Sequence, residues 1–410
     1  MIIEHKTSTK NALATLASRK HTTRRRWLAL MTLLPIIAAW LYGYFTNGTD
    51  VLPFVTSVLP GADQIDRQGG LFVGHRSSDG ALIGYAAVGS APGYGGPIDV
   101  LVGVDPQGEI VGVKVVAQRE TPGFYRRLDQ ENFLNQYQGA QVRQPLQLGQ
   151  DIDAVSGATL SSSGVATSIR RAVRSIAQDA LKTPLPPEQQ PVQFGWPEII
   201  LILLYAAGYF GHKLNNSRWK RRIRWSTLIV GMIFVGFVYT APFTIAQVTA
   251  LLSGFWPDWH TNLYWYLLIG GILFVTTAQS KNPYCSWFCP FGAYQECLAA
   301  ITGAKSYRPR NLSSALNWVQ RGLALTAILL GLALRRPGAA TYEPFATLFD
   351  LSGTGLQWIL LVLVTLASLI IYRPFCGYLC PLEPVVEYIG EGRRGIQELW
   401  RKWRARDASG

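Results

Sequence analysis

Two near-copies of one cysteine motif, Cys285-Ser-Trp-Phe-Cys289-Pro290 and Cys376-Gly-Tyr-Leu-Cys380-Pro381, lie 91 positions apart, and each closes a long apolar run. The match runs past the thiols, since Pro283 answers to Pro374, Pro290 to Pro381 and Glu296 to Glu387 at the same offset. The chain therefore contains an internal repeat. Two turns related by a pseudo-twofold can converge, each supplying two sulfurs to one site. Proline directly after each second cysteine fixes φ and needs no N–H donor, so a new helix is expected to begin there.

Composition points to a membrane setting: 49% of the residues are hydrophobic, 15% are charged, and there are 13 tryptophans in 410 residues. Apolar stretches of roughly spanning length occur at 27–45, 196–212, 226–249, 261–279, 313–334 and 356–372, which predicts about six transmembrane helices. The net charge of +13 would suit nucleic acid, but the basic residues cluster beside apolar runs instead. Of the 38 Lys and Arg residues, 24 fall in 1–26, 213–224, 280–312 and 373–410, and two, Arg335 and Arg336, fall in short loops on the other side. The positive-inside rule then places both termini and both cysteine motifs at the cytoplasmic face. The first run follows a polar stretch and lacks a small-residue exit, so it reads as an uncleaved anchor.

The expected organisation is a basic cytoplasmic segment 1–26, an anchor 27–45, an extracytoplasmic domain 46–183, a proline-rich linker 184–195, a membrane domain 196–390 and a basic tail 391–410. Within 46–183, short β-branched or alternating runs at 71–73, 81–88, 98–104 and 110–117 are separated by turn signals such as Asp79-Gly80, and a helix is expected over 161–181. This is an α+β pattern.

The approach to that helix reads Asp153-Ala-Val-Ser156-Gly157-Ala158-Thr159-Leu160-Ser161-Ser162. Small and hydroxylated residues at a helix N-terminus leave backbone N–H groups open to a phosphate. An ordinary serine N-cap is the plainer reading of the same residues. The wording Asp-x-x-Ser-Gly-Ala-Thr resembles the signature of FMN-binding domains such as the C subunit of Na⁺-translocating NADH:quinone reductase and the G subunit of Rnf complexes. That resemblance implies FMN joined through its phosphate to Thr159 by a flavin transferase, with Asp153, Ser156, Gly157, Ala158, Leu160 and Ser161 around it. A second element of these domains, Glu120-Thr121-Pro122-Gly123, is implied to lie against the flavin ring.

An FMN-binding domain followed by a polytopic region with two Cys-x₃-Cys-Pro motifs resembles the NosR/NirI group of membrane flavo-iron–sulfur proteins, and is also similar to PceC-type proteins. The resemblance covers about 60 to 390 and departs from NosR at the C-terminal ferredoxin, whose Cys-rich motifs do not occur among the five cysteines of this sequence. The implied fold is a polytopic α-helical membrane protein with a pseudo-twofold repeat, plus an extracytoplasmic α+β FMN-binding domain.

Cys285, Cys289, Cys376 and Cys380 suit one metal centre held by four thiolates, either a 4Fe-4S or 2Fe-2S cluster or structural zinc. Disulfides do not suit a reducing cytoplasm. Trp287, Phe288, Tyr378 and Leu379 are expected to line the centre, and Cys297, without a counterpart in the second copy, reads as a packing residue. His75 reads as a loop histidine, and His212 and His260 lie at opposite sides, which does not favour a haem. Arg321, inside an apolar run, either snorkels or balances a negatively charged cluster. No Gly-x-Gly-x-x-Gly precedes a helix, so no NAD(P)H site is expected.

The leading expectation is an electron-transfer subunit working between a cytoplasmic or quinol donor and an extracytoplasmic acceptor. Its partners would be redox subunits or an extracytoplasmic electron-transfer protein, possible quinone, and no nucleic acid. A bilayer core about 30 Å thick separates the two centres, which asks for an intermediate carrier. A redox-sensing regulatory protein and a zinc-stabilised scaffold are the alternatives.

Overall fold

The computed structural model describes residues 31–46, 50–93, 96–119, 125, 128–129, 131–155, 159–185, 192, 194–260, 262–279, 282–307 and 313–407. Helix α1 (Met31–Thr46) is followed by the short α2 (Leu52–Val58). Five strands come next: β1 (Gln64–Gln68), β2 (Leu71–His75), β3 (Leu82–Pro92), β4 (Pro97–Val104) and β5 (Ile110–Gln118). Each pairs antiparallel with the next, in the order β1-β2-β3-β4-β5. Four of these strands are legible as runs. The edge strand β1, Gln-Ile-Asp-Arg-Gln, is not, because its mostly exposed polar residues carry no apolar alternation. His75 ends β2 and is not in a loop.

The interior strand β4 is buried along nearly its whole length, because helices cover both faces of the sheet. Helix α3 (Thr159–Ser175), extended by a π turn over Ile176–Ala180, lies on one face with Val165, Ile169, Val173 and Ile176 in the core. On the other face, Val55, Val58 and Leu59 pack against Phe72, Ala86 and Leu101. Both approaches depend on glycine. A Cβ at Gly89 would stand 1.8 Å from the Ser168 carbonyl oxygen of α3, and one at Gly103 would stand 2.1 Å from the Val58 carbonyl oxygen.

The second half of the chain is helical: α4 (Trp196–Lys213), α5 (Ser217–Val230, extended by π turns to Val238), α6 (Ile245–Ser253), α7 (Leu263–Gln279), α8 (Pro290–Thr302), α9 (Ser313–Ala333), α10 (Phe345–Phe349), α11 (Gly355–Ser368), α12 (Pro374–Tyr378) and α13 (Leu382–Asp407). Five of the six expected runs coincide with single helices. The run 226–249 does not, because it is broken at Tyr239–Thr244, where Pro242 withholds an N–H. Thr244 and Gln247 form a capping box that starts α6, and the Ile245 N–H donates to Glu343 at 3.0 Å. Among the described residues, one helix, Ser314–Ala333, is long and apolar enough to cross a membrane by length and composition alone, while Met31–Thr46, Leu263–Ala278 and Gly355–Ser368 are shorter apolar helices.

The helical core is aromatic. Tyr284, Trp287, Phe288, Phe291, Phe345, Phe349 and Phe375 are all buried and pack around Cys289 and Cys380. Both copies of the repeat have one form: an apolar helix (α7 or α11), a short helical turn carrying the first cysteine, then a second cysteine and a proline that starts the next helix. Pro290 is the first residue of α8, and Pro381 immediately precedes α13.

Candidate cluster and flavin sites

In the first copy, Asn282 closes the turn that presents Cys285. The Cys285 N–H donates to Asn282 Oδ1 at 3.1 Å, and Asn282 Nδ2 donates to Cys285 Sγ at 2.8 Å. The buried ring of Tyr284 anchors this turn, and its hydroxyl accepts the Phe243 N–H at 2.8 Å. Cys289 is the N-cap of α8, at the helix end whose first N–H groups have no intrahelical partner.

Two buried glutamines hold the second copy in place. Gln295 of α8 accepts the Phe375 N–H at 3.0 Å and donates from Nε2 to Cys376 Sγ at 3.2 Å, so one side chain from the first copy sets the position of the second. Gln320 of α9 donates to the carbonyls of Cys376 and Cys380 at 3.2 and 2.9 Å. Burying two amides in an apolar bundle is costly unless they are paired, and here they are paired with the motif backbone.

The result is convergence. All four repeat cysteines line one cavity of about 730 Å³, together with Arg373, Tyr372, Tyr378 and Glu383. No disulfide joins the five cysteines, and Cys297, on α8, is not among the lining residues. Among the described residues, no three His, Cys, Asp or Glu side chains gather at the spacing of a single metal ion. Four thiol side chains on one cavity are a donor set that suits an iron–sulfur cluster or a structural zinc.

Of the residues expected to line the centre, only Tyr378 does so. Trp287 turns away to pack on Gly211 and against the His212 ring, Phe288 packs on Tyr205 and Tyr284, and Leu379 joins the aromatic core. A helical turn between the two cysteines points the intervening side chains outward, which linear spacing does not reveal. Arg321 is not among the lining residues, but it pairs at 3.1 Å with the half-exposed Glu387, which is. The arginine that does line the cavity is Arg373, and with Asn282, Gln295 and Gln320 it is what sequence reasoning missed. A signal was present for two of them, since Asn282 and Arg373 occupy the same repeat position, just before Pro283 and Pro374.

In the flavin region, Thr159 is the first residue of α3. Ser156, Gly157, Ala158 and the Glu120-Thr121-Pro122-Gly123 element lie outside the described residues, as do the side chains of Thr159 and Leu160. Their flanks meet at one end of the sheet. Strand β5 finishes against Pro97, with the Arg119 N–H donating to its carbonyl at 3.0 Å, and the adjacent β3–β4 turn packs at Gly93 on Gly164 of α3. Asp153 is exposed and exchanges hydrogen bonds with Gln136 through its backbone. Ser162 accepts the Val155 N–H at 3.2 Å. Ser161 Oγ is buried without a hydrogen-bond partner, an orphan polar atom of the kind a bound phosphate or ring would satisfy.

This end of the sheet faces the helical region. Arg119 and Arg335 lie on the ring of Phe255 at 5.5 and 4.9 Å, and Gly96 approaches Pro337. Burial, opposed by Asp99 and reinforced by the charges of Arg335 and Arg336, holds the Arg119 pKa below its ordinary value.

The fold and these sites define a class, a chain that joins an FMN-binding domain to a 4Fe-4S binding domain. The family model described as an FMN-binding domain matches residues 93–174, and the 4Fe-4S binding domain model matches 261–309 and 354–407, a span that includes all four cavity cysteines. Within that class the chain is NosR/NirI-like. It is 25% identical to "Regulatory protein NosR" of Stutzerimonas stutzeri over 50% of this chain and 30% of that protein. It is 31% identical to "Protein NirI" of Paracoccus denitrificans over 40% of this chain and 26% of that protein. It is also 35% identical to the G subunit of an ion-translocating oxidoreductase complex of Pseudomonas aeruginosa, over 21% of this chain and 44% of that protein. The chain thus matches less than a third of the length of NosR and NirI.

Proposed function

We propose that this chain is a membrane electron-transfer protein that works between a cytoplasmic or quinol donor and an extracytoplasmic acceptor, with FMN attached at Thr159 and an iron–sulfur cluster held by Cys285, Cys289, Cys376 and Cys380. The observation that carries the reading is the convergence of four cysteines from two repeat copies on one cavity. When bound, FMN and the cluster supply the capacity to accept and release electrons, which the side chains of the protein lack. The chain contributes placement: Asn282 and Gln295 orient the sulfurs of Cys285 and Cys376, and the aromatic core buries Cys289 and Cys380.

A membrane position is supported by the outward faces of the apolar helices. Leu203, Phe274 and Ile359 are 61%, 68% and 60% exposed on α4, α7 and α11, which water would not favour and lipid would. The basic segments beside these helices give the orientation, with both termini inside and the FMN-binding domain outside. Partners are expected among membrane redox subunits, as the likeness to a component of an ion-translocating complex suggests. A regulatory role is the second reading, favoured by the name of the NosR relative.

Liposomes separate the two. With the flavin domain facing outward and a reductant enclosed in the lumen, the loaded chain should reduce external ferricyanide, and the Cys376→Ser chain should not. Equal rates from both, or none from the loaded chain, would contradict electron transfer and leave the regulatory reading.

A further inference from the structure

Arg373 is the cavity-lining residue whose chemistry the cysteine motif does not explain. It sits just before Pro374 in the left-handed region, at φ 50° and ψ 55°, a conformation that non-glycine residues rarely adopt. That backbone sends the side chain across the repeat boundary. Its Nη1 donates to the Cys285 carbonyl at 3.0 Å, and its Nε lies 2.8 Å from Glu296 Oε1. Gly292 makes room for it, because a Cβ at that position would come 3.2 Å from Nη2. The side chain is only 15% exposed. Nη2 is fully buried and has no hydrogen-bond partner.

The surroundings hold Arg373 charged and leave that charge incompletely neutralised. Glu296 is 2% exposed and is shared between Arg373 and Arg224, and it also accepts the Tyr372 hydroxyl. Although burial opposes it, the hydrogen bonds from Arg224 and the charge of Arg373 hold the Glu296 carboxyl below its usual range, so it is ionised. One carboxylate between two guanidiniums leaves this three-residue array with one net positive charge, which Glu383 on the cavity wall opposes. The other charged groups that line the cavity are Glu383, which accepts from Gln320 at 3.4 Å, and Glu387, which is paired with Arg321.

We infer that Arg373 is a positioning and tuning residue of the four-cysteine site, whose charge favours the more negative, reduced form of the centre held there. This rests on the cluster reading above. A cluster on four thiolates gains negative charge on reduction, so a buried cation beside it raises its potential. The fixed array Arg224–Glu296–Arg373 makes the shift depend on charge balance, and loss of an arginine and loss of the glutamate change it with opposite signs.

The test uses the full chain, purified in detergent and loaded with iron and sulfide, with the potential read by EPR-monitored redox titration. Arg373→Gln should favour the oxidised form by on the order of tenfold, about 59 mV downward for one electron. Arg373→Lys should recover part of that shift, because it keeps the charge and loses the fork. Glu296→Gln should move the potential upward, since it frees the positive charge of both arginines. A purely structural role would not give shifts of opposite sign. If Arg373→Gln fails to assemble, Glu296→Gln decides alone, and a downward or absent shift there overturns the inference. Should the wild-type chain take up no cluster at all, the cluster reading fails, whereas a loaded wild type whose potential is indifferent to both substitutions refutes only the role of Arg373.

Discussion

The flavin end and the cysteine end of this molecule are built by different means. At the flavin end, each motif is one contiguous stretch of sequence, and the described residues that flank them, the exit of β5 and the entry of α3, lie at one end of the sheet. At the cysteine end, nothing adjacent in sequence suffices. Gln295 reaches 81 positions to Cys376, and Gln320 reaches 60 positions to Cys380. The local site can be read from a few residues. The convergent site needs two repeat copies and a shared set of buried amides before its four sulfurs face one space.

That contrast predicts where each region breaks. Cys376→Ser should abolish iron and acid-labile sulfide in the purified chain while flavin content stays at the wild-type level. Iron retained at the wild-type level would mean that the sulfurs do not act as one set. The converse dissection is Thr159→Ala, which should remove the flavin fluorescence that survives a denaturing gel and leave the iron content alone. A band that stays fluorescent places the linkage elsewhere.

Smaller effects sharpen the same division. Gly89→Val puts side-chain atoms where the Ser168 carbonyl already lies, so α3 must lift off β3, at a cost of about 3 kcal/mol from overpacking. Calorimetry should show the FMN-binding domain melting earlier, with the iron-containing region unchanged. Gln320→Ala leaves the Cys376 and Cys380 carbonyls without a buried donor, worth roughly 1–3 kcal/mol. It should speed iron loss to a chelator severalfold and leave flavin content untouched. Effects that spread across both regions would argue that the contacts of Phe255 with Arg119 and Arg335 weld them into one cooperative unit.

The four-strand pattern, the helix after the flavin motif, the repeat and its helix-starting prolines are legible, because alternation, turn residues and spacing are local signals. Strand β1 escapes because an exposed polar edge has no alternation to read. The break at Pro242 hides inside an apolar run, although the proline and the Thr244-to-Gln247 capping box are both in the letters. Proximity in sequence puts Trp287 and Phe288 at the centre, but the helical turn at Tyr284–Phe288 aims them into the protein core. Arg321 stands out as a charge in an apolar helix, while Arg373 lies in plain view beside a proline. Which arginine faces the cavity depends on a left-handed backbone and on Gly292 from the other copy, neither of which composition or periodicity encodes.

The account stands on one chain holding two cofactors of different kinds. Iron, acid-labile sulfide, zinc and covalently bound flavin should therefore be counted on the same purified sample of the full chain. The predicted result is iron and sulfide in equal amounts, flavin that stays with the denatured polypeptide, and no zinc. Zinc in place of iron, or a polypeptide free of flavin after denaturation, would contradict it.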